Sequence, residues 1–155
     1  MTASDSARAP GTVLTLLRGH AVRGAVNMRS QNYTDLIAWQ KAMSLAEAVY
    51  TTSARMRKDE RFGLTSQMRR AVVSISSNIA EGQGRSTDGE FLNQLSVAHG
   101  SIRELETHVM LAERLGFFSD VAAAELLDAA AEVGRLVTGL ANSIARRSGK
   151  RDHKA

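Results

Sequence analysis

The stretch SSNIAEGQGRS, residues 76 to 86, sets an asparagine, an acid, two glycines and an arginine after an apolar run. A phosphate-binding loop would use such glycines, because loop amides and the positive end of the next helix hold an anion. That geometry needs a strand before the glycines and a third glycine at position 87. Here the preceding apolar spacing is helical and residue 87 is Thr. Gly82 or Gly84 is therefore expected as the left-handed cap that ends a helix. The other chemistry-bearing residues do not assemble. Glu104 and His108 stand four apart rather than as Glu-x-x-His, and there is no second copy. His20 and His153 lie in the terminal segments, and His99 has no carboxylate at a diagnostic spacing. No nucleophile, base and orienting acid can be assigned, so the chain reads as non-catalytic, without cofactor or metal.

Four helices must position these residues. In the first, about 35 to 56, Thr34 or Asp35 is the expected N-cap, and Leu36, Trp39, Met43, Ala46 and Tyr50 recur at helical spacing. The second, about 61 to 82, carries Leu64, Met68, Ala71, Val72, Ile75 and Ile79 on one face. It has no acid between Leu64 and Ala80, and its back is small and uncharged at Val73, Ser76, Ser77 and Ala80, where a solvated helix normally carries charge. The third, about 87 to 115, opens with Ser86 or Thr87 as cap. It repeats Phe91, Leu95, Ala98, Ile102, Leu105, Val109 and Ala112 in alternating fours and threes, a knobs-into-holes seam. Beside it runs a second stripe of Val97, Ser101, Glu104, His108, Leu111 and Leu115. Gly116 is expected to end that helix and Ser119 to cap a fourth, with Leu126, Leu127, Ala130, Val133, Gly134, Val137, Leu140, Ala141 and Ile144 facing inward. Short connections make this an all-α, antiparallel up-down-up-down four-helix bundle over residues 32 to 145. At the corner after helix two, Arg69 or Arg70 is expected to pair with Glu81, Glu104 or Glu106, and Asn78 to hydrogen-bond the corner.

Composition agrees. Of 155 residues 43% are apolar and only 5% aromatic, with a single proline, which suits helices better than sheets. There is no cysteine, which excludes disulfides and thiolate metal sites and fits a cytoplasmic location. No run approaches a membrane span. The net charge is +4, yet residues 1 to 31 carry +3 and residues 146 to 155 carry +4, leaving −3 for the body. Residues 1 to 31 read as a disordered or spurious extension, with Met28 as an alternative start. Residues 146 to 155 read as a basic disordered tail.

Three blocks, DLIAWQKAMSLAEAVY, FGLTSQMRRAVVSISSNIAEGQGRS and HGSIRELETHVMLAERLGF, resemble the bacterial four-helix bundle family first named for proteins encoded in intervening sequences of large-subunit ribosomal RNA genes. The resemblance covers about residues 33 to 145. The family is also similar to the accessory variability determinant of diversity-generating retroelements, a basic, barrel-shaped homopentamer that binds nucleic acid and a reverse transcriptase. The resemblance thus implies a small bundle that forms a ring of five. Two features depart from the family. The loop MRKDERFGL lacks a proline often found there, and the body is net acidic.

The expected function is a non-catalytic oligomeric scaffold for RNA or a ribonucleoprotein enzyme. Arg69, Arg70, Arg85, Arg146, Arg147, Lys150 and Arg151 would contact phosphates, a largely sequence-independent mode. The oligomer interface is expected at Val73, Ser76, Ser77, Ala80, Val97 and Leu111, and a structural corner at Asn78, Glu81, Gly82 and Gly84. The alternative is a protein adaptor ring that never touches nucleic acid.

Overall fold

A computed structural model describes residues 32–152. Residues 1 to 31 and His153 lie outside the described residues, as do the side chains of Lys150 and Arg151. Four helices form: α1 (Ile37–Ser53), α2 (Leu64–Gln83), α3 (Asp88–Arg114) and α4 (Asp120–Asp152). Short 3-10 turns at Tyr33–Asp35 and Lys58–Arg61 precede α1 and α2. There is no strand among the described residues. Each helix packs on two neighbours, α1 on α2 and α4, and α3 on α2 and α4, so the bundle is square in section. Its seam is a continuous apolar core in which Leu45, Met68, Ile75, Ile79, Leu95, Ile102, Leu105, Leu126 and Ile144 are fully enclosed.

The helix ends follow local chemistry. Thr87 caps α3 in a reciprocal box, its hydroxyl accepting from the Glu90 amide at 3.2 Å while the Glu90 carboxylate accepts from the Thr87 amide at 3.1 Å. Gly116 ends α3 with a φ of 75°, and Phe117 N donates to Ala112 O at 2.8 Å, the double closure that an αL glycine permits. Ser119 accepts from Ala122 N at 3.2 Å to start α4. The start of α2 has no conventional cap. The Glu60 carboxylate reaches forward from the 3-10 turn and accepts from Leu64 N at 3.1 Å.

The first helix departs from expectation at both its start and its face. It begins at Ile37 after Leu36, without a side-chain cap from Thr34 or Asp35, because Asn32 instead caps the 3-10 turn before it. The face buried is Ala38, Ala42, Leu45, Val49 and Ser53, whereas Met43 and Tyr50 are exposed and Trp39 and Ala46 are half-buried. That is a rotation of about a quarter turn from the expected stripe at 3.6 residues per turn. Apolar residues surround much of α1, Ala38 and Ala42 are buried with Leu45 and Val49, and Tyr33 braces Trp39 edge-on at 5.4 Å. Lys41 joins α1 to Glu132 of α4 at 3.0 Å. Finally, α4 continues past 145 through Asp152.

Candidate nucleic-acid interface

Several of the expected site residues lie at the two ends of α2, which are built differently. At its C-terminal end the corner is closed by contacts within the chain. Gly84 has a φ of −78°, and Gly116 is the one positive-φ glycine among the described residues. The expectation that Gly82 or Gly84 adopts a left-handed conformation is therefore corrected. Gly82 is helical and buried, and a Cβ there would meet Phe91 Cδ2 at 2.6 Å and Gln94 Cβ at 2.9 Å. The glycine is needed for close helix approach rather than for backbone freedom.

The polar residues of the corner are also committed. Glu81 pairs with Arg85 one turn on and accepts from Gln94 Nε2 of α3 at 3.4 Å. Asn78 does not bond the corner: its Nδ2 donates back within α2, to Ser74 O at 2.7 Å and Ser74 Oγ at 3.0 Å. The Thr87 hydroxyl and amide hold the Glu90 carboxyl below the usual glutamate range. Arg147 donates to Asp88 Oδ1 at 2.8 Å, and Ser148 to Asp88 Oδ2 at 2.9 Å, joining the end of α4 to the first turn of α3. Asp88 also offsets the positive end of the α3 dipole. This bond network carries α4 beyond the boundary expected at 145. Arg85 and Arg147 are thus held in ion pairs, while Arg146 is exposed on the same end of the bundle.

At the N-terminal half of α2 lies an open groove of about 680 Å³, lined by residues that include Tyr50, Arg61, Phe62, Arg69, Arg70, Val73 and Glu104. The expected pairing of Arg69 or Arg70 with a carboxylate does not form. Position 69 faces α1, so the Arg69 guanidinium lies 4.7 Å above the Tyr50 ring and its Nε donates to Ser53 Oγ at 3.0 Å. Arg70 is exposed and has no polar partner among the described residues. Glu106 is instead bonded to Arg103 of its own helix at 2.7 Å. Arg61 stacks on Phe62 at 5.5 Å, and Phe62 is 86% exposed. Sequence reasoning missed Arg61, Phe62 and Tyr50 as site residues. The signal for Phe62 was an aromatic stranded between Arg61 and Gly63 in a charged connection.

The second stripe of α3 stays largely outside the protomer. Val97, Leu111 and Leu115 are exposed, and Val73 of α2 is 43% exposed. Ser77 is exposed and Ala80 half-buried, but Ser76 is only 5% exposed and donates to Val73 O, so it packs within the chain. Ser101 is likewise buried, sharing a hydrogen bond of 2.9 Å with Ser74 across the helix pair.

Among the described residues no cluster of His, Cys, Asp or Glu could hold a metal, and no helix is long and apolar enough to cross a membrane. Among solved structures, a protein of unknown function from the S23 ribosomal protein family of Bacteroides thetaiotaomicron is similar to this chain. The TM-score is 0.62 at 19% identity, covering 68% of this chain and 98% of that one. At that identity the likeness is one of fold. No curated protein matches. The family model for the 23S rRNA-intervening sequence protein matches residues 34–139, from the turn before α1 to the middle of α4. With the matching bundle and a family match over more than half its length, the chain belongs to the 23S rRNA-intervening sequence protein family.

Proposed function

We infer that the protein is a non-catalytic scaffold of the cytoplasm that assembles into a closed homo-oligomer and binds RNA or DNA alongside a nucleic-acid enzyme. The observation that supports nucleic-acid binding is the groove in which Arg61, Arg69 and Arg70 stand with Tyr50 and Phe62 against the single acid Glu104. Guanidiniums supply phosphate contacts and aromatic rings supply stacking, the combination used for unpaired nucleic acid. The local charge is positive although the body as a whole is net acidic. The resemblance to the retroelement accessory protein supports a ring of five and a reverse transcriptase as the enzyme served.

Assembly is supported by the exposed apolar side chains Val97, Leu111 and Leu115 of α3 and Val73 of α2. Burying such surface contributes about 25 cal/mol per Å², enough for a repeated contact to hold a ring. Light scattering of the untagged protein tests it, with Val73→Glu and Leu111→Glu alongside. The unmutated protein should exceed a dimer, and either charge should break the ring while leaving the protomer helical. A monomer at micromolar concentration would overturn the ring and the scaffold with it. The same apolar side chains favour a second reading, an adaptor ring for a helical protein partner. RNA that co-purifies with the native complex and is released by high salt would favour the first reading. A complex containing protein alone would favour the second.

A further inference from the structure

We propose that the groove at Phe62 is a stacking site for single-stranded nucleic acid, in which Phe62 receives a base and Arg70 a neighbouring phosphate. This rests on the nucleic-acid reading above and names the form of ligand and the residues that select it.

The starting point is energetic. A phenylalanine that is 86% exposed leaves nearly its whole apolar surface in water, a cost that burial within the protomer does not offset. Phe62 also does nothing evident for the fold, since the neighbouring α2 start is capped by Glu60 rather than by any contact of the ring. What surrounds it is cationic. Arg61 lies 5.5 Å from the ring centre, and Arg69 and Arg70 line the same groove. Arg69 is itself stacked on Tyr50. Three guanidiniums face one carboxylate, Glu104, so the groove complements an anion and not a basic or neutral helix. At about 680 Å³ it falls in the size range that accepts a small planar ligand.

An anion that also offers a flat π-face is a nucleotide. The form follows from the same chemistry. In a duplex the faces of the bases are covered by their neighbours, so an exposed ring has nothing to stack on. In a single strand each base offers a free face. Stacking is indifferent to base identity, and the groove presents no pattern of amide or carboxylate groups for reading base edges. The site should therefore prefer single strands without strong sequence preference. Arg70, exposed and without a polar partner among the described residues, gives up no internal bond to reach a phosphate. Arg85 and Arg147 would each have to break an ion pair to do so.

The test uses the full chain and a fluorescein-labelled oligouridylate of about twelve nucleotides, a length in the range of single-strand binding sites. The same strand annealed to oligoadenylate serves as the duplex. Anisotropy titrations at several salt concentrations should show tighter binding of the single strand. Phe62→Leu, which keeps an apolar side chain of similar bulk, should weaken it by roughly tenfold or more without changing the slope of log K against log salt. Phe62→Trp should retain binding, and its added fluorescence should be quenched by the oligonucleotide. Arg70→Gln should reduce the salt slope by about 0.7, the value of one released counterion on a single strand.

The outcomes separate cleanly. If the unmutated protein binds neither form, the nucleic-acid function falls and this site falls with it. Nucleic acid that binds equally well to Phe62→Leu, or a duplex preferred over the strand, overturns the stacking site alone. If Phe62→Leu dissociates the oligomer in light scattering and loses affinity together with salt slope, Phe62 belongs to a contact between copies and the proposal is overturned.

Discussion

The two ends of α2 carry similar residues and use them in opposite ways. At the corner Glu81 is bonded to Arg85 and Gln94, Asn78 to Ser74, and Asp88 to Arg147 and Ser148. In the groove Arg70 has no polar partner among the described residues and Phe62 lies in water. An arginine near an acid-bearing helix start is recruited to neutralise it and to satisfy its fork of donors. In the acid-free stretch of α2, Arg69 turns to Tyr50 and Ser53 of α1, and Arg70 is left to solvent. Among the described residues the arginines therefore divide by neighbourhood: Arg85 and Arg147 are held in ion pairs, and Arg70 is exposed.

The largest expected effect is at the corner. Asp88→Ala leaves the half-buried Arg147 guanidinium without its carboxylate and should cost roughly 2–3 kcal/mol, seen as a lowered urea midpoint and faster amide exchange in the last turns of α4. A change under about 0.5 kcal/mol would show that this end is as loosely held as the groove. Next comes the glycine pair. Gly82→Ala should destabilise by about 1–3 kcal/mol, because the added methyl meets Phe91 and Gln94. Gly84→Ala, whose nearest obstruction is Glu81 O at 3.5 Å and whose φ is negative, should be neutral within about 0.5 kcal/mol or mildly stabilising. Equal costs would return the argument to backbone conformation.

Smallest is the pH dependence of the capping box. Thr87 lowers the folded pKa of Glu90 below its unfolded value, so this contribution is complete above the unfolded value and is lost as pH falls through the folded one. Urea midpoints of the unmutated protein and Glu90→Gln should therefore converge in acid and separate toward neutral pH. A separation that stays constant with pH would mean that the carboxylate charge contributes nothing. Phe62→Leu and Arg70→Gln should leave stability within about 0.5 kcal/mol, as expected of groove residues without an internal role.

How far the sequence could be read depends on how strongly a helix is amphipathic. On α2 and α3 every residue of the expected seams, Leu64 to Ile79 and Phe91 to Ala112, is buried, joined by Thr65, Ser76 and Gly82 on α2 and by Ser101 on α3. On α1 large and small apolar residues occupy much of the circumference, and periodicity alone selected the bulkier stripe. The neighbours selected the stripe of Ala38, Ala42, Leu45 and Val49. The groove was half legible. Arg69 and Arg70 stood out as a pair in an acid-free stretch, but Tyr50 was assigned to the core and Phe62 lay in a connection with no period to place it.

By itself, then, the sequence determined the helices, their order, the caps at Gly116 and Ser119, a cap of α3 at Ser86 or Thr87, and the main core faces of α2 and α3, since these rest on interactions within a few residues of each other. Only the tertiary structure decided which face α1 buries, why Gly82 must lack a side chain, and which arginines are free. Those outcomes depend on Phe91 lying against Gly82, Asp88 meeting Arg147 and Ser53 meeting Arg69. Each of these pairs joins two different helices, and packing alone brings them together.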